Sequence, residues 1–226
     1  MHVQNRNKPG IQRRATWLRG GQVNQFRRTE RSMQQCPVTA EVRLITRRLV
    51  LRRFRSDDAG ALAVYRSDPA VARYQSWDVP VTRAAAAQLV EVFAQGNPMY
   101  PGWFQYAVER VSDGVLVGDV GVCLHHNRMQ AEIGFTLAKA HQGRGYATEA
   151  VGQVLEHLFT RHNLRRISAE CDARNVASAR LLRRLGFVEE GCRRAHTWVK
   201  GEWTDDLLFG LLAGDWRPAE APPCDV

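Results

Sequence analysis

The hydrophobic positions of this chain change their period along its length, and these changes separate helices from strands. The strongest helical signal has apolar residues at i, i+3, i+4, i+7, i+8, i+11 and i+12, namely Ala147, Ala150, Val151, Val154, Leu155, Leu158 and Phe159. Such spacing forms one apolar face of an α-helix, which we predict over Tyr146–His162. By contrast, Arg47–Arg53 and Trp103–Arg110 alternate between apolar and polar residues, which predicts strands.

The remaining elements follow from the same patterns and from turn and cap residues. Ser112-Asp113-Gly114 predicts a hairpin turn, and either Ser56 or Asp57 is expected to cap the first helix. Further strands are predicted at Val115–Leu124, Gln130–Leu137, Arg166–Asp172, Phe187–Val199 and Trp203–Ala213, and further helices at Asp57–Arg66, Pro69–Gln75, Arg83–Gln95 and Val176–Leu185. The order β-α-α-α-β-β-β-α-β-α-β-β predicts a fold of the α/β class in which helices flank one mixed sheet, as in α+β proteins.

Length and charge divide the chain into three parts. The 226 residues suit one domain with tails, and the net charge is +9. Residues 1–35 hold eight basic residues and one acidic residue, whereas the remainder holds 24 and 22. We therefore predict a basic, disordered extension at 1–42, a domain at 43–216 and a Pro-rich tail at 217–226. Nucleic-acid binding is not expected of the domain, although RNA or ribosome docking through the extension stays open.

Cysteine usage and hydropathy bound the compartment. Five cysteines, an odd number without a C-x-x-C motif, indicate neither a disulfide framework nor a zinc site. His125-His126 lacks a second ligand pair, so we expect no metal there but a surface hairpin with Asn127 in its turn. No signal-peptide core or long apolar run occurs, which favours a cytoplasmic protein without membrane contact. The Arg-rich start would also fit a mitochondrial presequence, but its apolar face is weak.

A glycine-containing loop, Gln142–Ala147, lies between a predicted strand and the strongest predicted helix. Its backbone N–H groups are delivered to a helix N-terminus, which attracts phosphate groups. Gly143 and Gly145 let the backbone approach an anion, while Arg144 either adds charge or is simply solvated. The dinucleotide fingerprint fails because Thr148 replaces its third glycine, and no Gly-Lys-Ser/Thr is present for a nucleoside triphosphate.

Two motifs identify a resemblance. Gln142-x-x-Gly145-x-Ala147 resembles the Q/R-x-x-G-x-G/A signature of the GNAT superfamily of acetyl-CoA-dependent N-acetyltransferases. Asn175-Val176-Ala177-Ser178, followed by a leucine-rich helix and Gly186-Phe187, is similar to the segment that follows this loop in many members. The strand Ala131–Phe135, the opening Leu44–Arg52 and the ending Lys200–Phe209 resemble the ribosomal-protein N-terminal acetyltransferase-like branch. The resemblance covers about residues 43–216.

The resemblance implies how the cofactor binds. In the family, the loop amides hold the pyrophosphate of coenzyme A, and the fourth and fifth strands splay apart to admit the cofactor. A backbone N–H on the fourth strand faces the thioester carbonyl. The implied cofactor-binding residues are therefore Phe135, Thr136, Leu137, Gln142, Gly143, Arg144, Gly145, Tyr146, Ala147 and Asn175.

The resemblance also suggests a proton donor and a base. Many members use a tyrosine as donor to the leaving thiolate, but Leu182 occupies that position here, and the branch places a serine at the position of Ser178. The alternative role of Ser178 is that of a first-turn hydroxyl in the helix. Glu132 is the leading candidate for the base, because a buried carboxylate can have its pKa raised toward the working pH. Competing bases are Glu170, Asp172, His196 and a water relay.

The acceptor is left open by the sequence. The branch favours a protein N-terminal α-amine, for example on a ribosomal protein, while an amino acid, a polyamine or an aminoglycoside would need the same chemistry. The second hypothesis is a non-catalytic acyl-CoA-binding module. The sequence also leaves open whether the protein forms a homodimer. Residues that could line an acceptor site are Tyr74, Trp77, Trp103, Trp198, Trp203, Glu202, Asp205 and Asp206, although core packing or a solvated hairpin is the simpler role for each.

Overall fold

The computed structural model describes residues 42–217, so the predictions for the N-terminal extension and for most of the C-terminal tail lie outside the described residues. The described part contains eight strands and five α-helices. The strands are β1 (Arg43–Ile45), β2 (Leu49–Arg52), β3 (Gly102–Arg110), β4 (Leu116–Leu124), β5 (Gln130–Leu137), β6 (Arg166–Asp172), β7 (Val188–Val199) and β8 (Glu202–Leu212). The helices are α1 (Ala59–Ser67), α2 (Pro69–Ala72), α3 (Arg83–Gln95), α4 (Tyr146–Thr160) and α5 (Val176–Arg184).

All eight strands form one mixed sheet in the order β1-β2-β3-β4-β5-β6-β8-β7. Every neighbouring pair is antiparallel except β5 and β6, which are parallel and joined by α4. A parallel pair needs such a crossover, because the chain must return to the same edge before starting the second strand. The predicted α/β fold with a mixed sheet is confirmed.

The helices cover the two faces of the sheet unequally. On one face α4 and α5 bury their apolar stripes, with Val151 and Leu182 packed against strand residues such as Ile133 and Ile167. On the other face α1 and α3 form a smaller cluster over β3 and β4 that includes Leu62. Within residues 42–217, no helix is both long and apolar enough to span a membrane.

The parallel pair β5–β6 separates halfway along its length. Pairing extends only from Gln130 opposite Arg166 to Ile133 opposite Ala169. Beyond that point β5 continues along β4 to Leu137, and β6 continues along β8. The two strands therefore bound an opening that starts at Gly134, the first residue past the last pair, and widens toward the carboxyl ends of both strands.

The N-terminal part of the domain differs most from the sequence prediction. The strand predicted at Arg47–Arg53 is confirmed over its central part as β2, but β2 pairs with a preceding strand, β1, that the sequence did not predict. The Thr46 hydroxyl closes the turn between them by accepting from the amide of Leu49 at 2.9 Å. Neither Ser56 nor Asp57 caps α1. Both lie in a short 3₁₀ turn, and it is the Asp58 carboxylate that accepts from the amide of Arg55 at 2.7 Å.

Other differences are small shifts of element ends. The second helix ends at Ala72 instead of Gln75, and α4 ends at Thr160 instead of His162. Four strands begin or end one residue from their predicted limits: β3, β4, β7 and β8. The predicted surface hairpin is confirmed, because the side-chain oxygen of Asn127 accepts from the amide of Met129 at 3.0 Å within its turn.

Candidate active site

The loop between β5 and α4 forms a cradle of free backbone donors. Gly143 and Gly145 have φ of +75° and +78°, a region that side chains with a Cβ rarely adopt, and Gly145 is the N-cap of α4. Among the described residues, the N–H groups of residues 143–148 donate to no acceptor outside the helix ladder. Such a row at a helix N-terminus, where the dipole is positive, suits a diphosphate.

The Gln142 side chain closes this loop onto the preceding strand. Its amide nitrogen donates to the carbonyl oxygen of Leu137 at 3.0 Å, at the end of β5. Gln142 therefore holds the loop in shape with its side chain, while the exposed backbone of Gly143 and Arg144 faces solvent. A side chain with an N–H donor at the first position of the motif can therefore close the loop onto the end of β5.

A second support of the loop comes from the β1–β2 turn and was missed from the sequence. Glu149, in the first turn of α4, accepts from the Thr46 hydroxyl at 2.6 Å, and from the Arg48 amide at 2.9 Å and its guanidinium at 2.7 Å. Burial alone would raise the pKa of Glu149, but these hydrogen bonds outweigh it and lower that pKa. The carboxylate therefore stays ionised and fixes the start of α4.

Arg48 also reaches the loop directly. Its guanidinium donates to the carbonyl oxygen of Arg144 at 3.0 Å and lies 4.7 Å from the ring centroid of Tyr146. A cleft of about 270 Å³ adjoins these groups and is lined partly by Arg47 and Arg110. No local sequence signal could have identified Arg48, because its partners lie about 100 positions away in the chain.

The strand beside the opening presents backbone donors at alternate residues. The Gln130 carbonyl accepts from His125 and the Ala138 amide donates to Val117, so the even-numbered residues of β5 face the β4 side. By period-two alternation, the N–H groups of Phe135 and Leu137 face the opening, whereas that of Thr136 faces β4. Of the three predicted donor residues, Phe135, Thr136 and Leu137, only Phe135 and Leu137 therefore present a backbone N–H to the opening.

The helix after β6 starts at the same edge of the sheet. Asn175 caps α5 as predicted, its side-chain oxygen accepting from the amide of Ser178 at 3.2 Å. Ser178 is half-buried, and its hydroxyl has no hydrogen-bond partner among residues 42–217. At the other end, Gly186 has φ of +87° and the Phe187 amide bonds to the Leu182 carbonyl at 3.0 Å, as in a Schellman motif.

The position of the tyrosine donor used by many relatives is part of the core here. Leu182 is 1% exposed and packs among the residues that join α4 and α5 to the sheet. It offers neither a hydroxyl nor access to the opening. Of the two positions discussed for proton donation, only that of Ser178 carries a group able to donate a proton.

The three carboxylates that compete for the role of base have different surroundings. Asp172 forms an ion pair with Arg174 at 2.7 Å, and although burial opposes it, this hydrogen bonding lowers the pKa of Asp172. Glu170 forms an ion pair with Arg193, whose other nitrogen donates to Nε2 of His196 at 2.7 Å. Glu132, half-buried on β5, has no ion pair or hydrogen bond from its side chain to any residue of the described part.

The surface beyond the opening contains aromatic residues with different roles. Trp77 is buried and donates to the Arg66 carbonyl at 3.0 Å, so it belongs to the packing of α1. Trp198 and Trp203 are about half exposed and meet edge to face at 5.4 Å near the tip of the β7–β8 hairpin. Tyr74 lies 5.9 Å from the guanidinium of Arg174.

The acidic residues of that hairpin are engaged within the protein. Glu202 accepts from Arg174 at 2.8 Å, Asp205 accepts from the amide of Ala195 at 2.7 Å, and Asp206 accepts from the Thr197 hydroxyl. In the part of the chain that the structure describes, no group of three or more His, Cys, Asp or Glu side chains could hold a metal ion. Cys123 and Cys192 are free thiols.

Comparison with known proteins agrees with this geometry. The model of the acetyltransferase (GNAT) domain matches residues 48–188. An uncharacterized N-acetyltransferase, p20 of Bacillus licheniformis, is 32% identical over 178 residues, which cover 76% of this chain and 97% of that protein. The ribosomal protein uS5-alanine N-acetyltransferase of Escherichia coli K12 is 28% identical over 191 residues, covering 79% of this chain and 94% of that protein.

A solved structure extends the comparison to the bound cofactor. RimJ of Mycobacterium smegmatis, in complex with CoA-disulfide, is 27% identical and superposes with a TM-score of 0.64, covering 74% of this chain and 82% of that one. The family-model match, which spans more than half of the chain, and the p20 similarity establish the relationship. The chain therefore belongs to the GNAT family of acetyltransferases, with ribosomal-protein N-acetyltransferases among its relatives.

Proposed function

We propose that this acetyltransferase moves the acetyl group of acetyl-CoA to a primary amine by direct attack in a ternary complex, and that its acceptor is the N-terminal α-amine of a protein. The observation that carries the proposal is the opening between β5 and β6, with the amide cradle of residues 143–148 at its wide end and Glu132 beside its narrow end. This arrangement offers a place for an amine on β5 and a place for an anion in the loop that follows it.

The chain's groups fit the cofactor that the family implies. The amides of Gly143 and Gly145 would hold its diphosphate, with Asn175 at the adjacent helix start. The N–H groups of Phe135 and Leu137 would hold its polar chain and polarise the acyl carbonyl. When bound, acetyl-CoA supplies an acetyl thioester.

Two side chains accept and donate the protons that the reaction moves. Glu132 takes a proton from the incoming ammonium, directly or through water, because only a neutral amine attacks a carbonyl. Among the three competing carboxylates it is the one without a cation partner in the described chain, whereas Glu170 and Asp172 neutralise arginines. Ser178, whose hydroxyl has no partner there, gives a proton to the departing sulfur and regains one, directly or through water, from the nitrogen that has attacked.

The choice of a protein α-amine rests on the relatives. The Escherichia coli relative is named for acetylating the alanine of ribosomal protein uS5, and its similarity covers most of both chains. Small amines remain the second candidate acceptor class, since they require the same base and the same cradle.

The test is a free-thiol release assay with acetyl-CoA and two acceptors, a peptide with a free N-terminal alanine and spermidine. We expect release with the peptide and a loss of about a hundredfold or more in Glu132→Gln, within the range for a general base. Glu170→Gln is the matched control and should keep most activity. Equal losses in both variants would remove the special role of Glu132, and faster turnover of spermidine would favour the small-amine class.

A further inference from the structure

A row of three residues crosses the sheet on the face that carries Glu132. Gln105 on β3 is paired with Gly121 on β4, which is paired with Gly134 on β5. A Cβ on Gly134 would meet nothing within 4 Å, so the space above the start of the opening is free. A Cβ on Gly121 would lie 2.6 Å from the side-chain oxygen of Gln105 and 3.2 Å from the ring of Trp103. The amide oxygen of Gln105 thus lies above Gly121, one strand away from the free space.

A hydrogen bond to the buried Asp119 fixes the orientation of the Gln105 side-chain amide. Asp119, which is 1% exposed, accepts from the Gln105 side-chain nitrogen at 2.5 Å. It also accepts from the hydroxyl of Tyr65 and from Arg66 at 3.5 Å, both buried residues of α1. A carboxylate offers only acceptors, so a flipped amide would place oxygen against oxygen. The Gln105 nitrogen must face Asp119, which leaves the oxygen turned toward the glycine row.

Two side chains on this face of the sheet present oxygen acceptors beside the glycine row. The Gln105 oxygen lies on one side, and the Glu132 carboxylate lies next to Gly134 along β5 on the same face. Cys123 on β4 lies opposite Glu132 on β5. Burial and, to a smaller extent, the charge of Glu132 raise the pKa of the Cys123 thiol. Two oxygens of this kind complement a group that carries several N–H donors, such as a primary ammonium or amine.

We infer that Gln105 binds the acceptor amine through its side-chain oxygen, and that Asp119 is a positioning residue which orients the Gln105 amide for this contact. The inference rests on the proposed function, because it assigns a residue to the amine at the same site. Gln105 holds the amine beside Glu132, over the Gly134 backbone. The buried Tyr65, Arg66 and Asp119 serve the site without touching the amine.

The test measures binding without turnover. A peptide with a free N-terminal alanine is titrated calorimetrically into enzyme saturated with CoA, which has no acetyl group to transfer, and the same peptide with an acetylated N-terminus serves as ligand control. Gln105→Met keeps the length of the side chain and removes the acceptor. We expect roughly ten- to hundredfold weaker binding of the free-amine peptide, as for the loss of one hydrogen bond to a charged group. CoA affinity should be unchanged.

Two further variants separate binding from folding. Gln88→Met, on the exposed side of α3, should bind the peptide as the wild type does. Asp119→Asn lets residue 119 donate to the Gln105 oxygen and frees the amide to flip, so peptide affinity should fall while thermal unfolding stays cooperative. Wild-type peptide affinity in Gln105→Met, or no binding of the free-amine peptide to the wild type, would overturn the inference. Gln105-dependent binding without thiol release from acetyl-CoA would count against the proposed function only.

Discussion

The guanidinium of Arg48 lies 2.7 Å from the carboxylate of Glu149, and this ion pair joins the β1–β2 turn to the first turn of α4. Arg48 also bonds to the carbonyl of Arg144 within the glycine loop. The pair therefore connects the edge of the sheet to the backbone that presents the amide cradle. Its role is to hold the cradle's shape, because neither side chain supplies the free N–H groups.

This relationship predicts a pH-dependent contribution to stability. Because the folded-state pKa of Glu149 is lowered, its contribution is present above the unfolded pKa and is lost as pH falls through the folded-state pKa. Glu149→Gln should lower Tm at neutral pH by roughly 2–4 °C, the effect of about 1 kcal/mol in a domain of this size. Thermal unfolding of both proteins across acidic pH checks this. A Tm difference that stays constant down to strongly acidic pH would contradict the assignment.

The glycine loop predicts a loss of cofactor binding in Gly145→Glu. Any residue with a Cβ at position 145 must adopt φ near +78°, and its Cβ would lie 3.3 Å from the Arg48 guanidinium. The new carboxylate would also face a diphosphate. The left-handed backbone alone costs about 1–2 kcal/mol, so with the charge we expect acetyl-CoA to bind at least about a hundredfold more weakly.

Isothermal titration with acetyl-CoA measures the effect. Gly60→Glu on α1, where a Cβ meets nothing within 4 Å and φ is ordinary, is the control and should bind normally. If Gly145→Glu binds acetyl-CoA like the wild type, the loop is not the diphosphate site.

Asn175 caps α5, and we propose that it also contacts the cofactor; paired substitutions distinguish the two roles. Asn175→Ala removes the cap of α5 and should cost about 0.5–2 kcal/mol of stability, whereas Asn175→Asp can still cap the helix. Both should weaken acetyl-CoA binding if the side chain contacts the cofactor, and the aspartate more so because it repels phosphate. Chemical denaturation and calorimetry report the two effects. Wild-type cofactor affinity in Asn175→Asp would leave Asn175 with the capping role alone.

Ser178→Ala should slow turnover more than it weakens acetyl-CoA binding. A proton donor to a thiolate is expected to contribute about ten- to hundredfold, because a thiolate already leaves readily. The helix should be retained, since Asn175 bonds to the backbone of residue 178 and not to its hydroxyl. Steady-state kinetics with calorimetry check the split, and Ser56→Ala in an exposed turn is the control. Lost affinity at unchanged kcat would make Ser178 a cofactor-positioning residue.

The sequence predicted those features that depend on local pattern. The α4 stripe, the Asn175 cap and the Gly186 terminus are all encoded within a few residues of one another, and all three are present. The separation of β5 from β6 came from the family resemblance, because nothing in Gln130–Leu137 itself states where a neighbouring strand departs.

The local sequence pattern could not predict contacts between distant segments of the chain. Arg48 with Glu149 and Gln105 with Asp119 depend on how β1, β3 and β4 are placed against α4 and α1. The prediction of a cap at Ser56 or Asp57 was wrong because residue type does not show which carboxylate is held by distant groups. Helix α1 follows Asp58, whose carboxylate bonds to the Arg55 amide and to Arg52 at 2.7 Å and makes no cap hydrogen bond to α1.

The most direct measurement is mass spectrometry of the product formed from acetyl-CoA and a peptide that carries a free N-terminal alanine and one internal lysine. The account predicts a single acetyl group on the α-amine, formed in step with free thiol and abolished in Gly145→Glu. Acetylation on the lysine side chain alone would contradict the proposed acceptor. Tight acetyl-CoA binding without thiol release from any amine would contradict the proposed catalysis and leave a binding module.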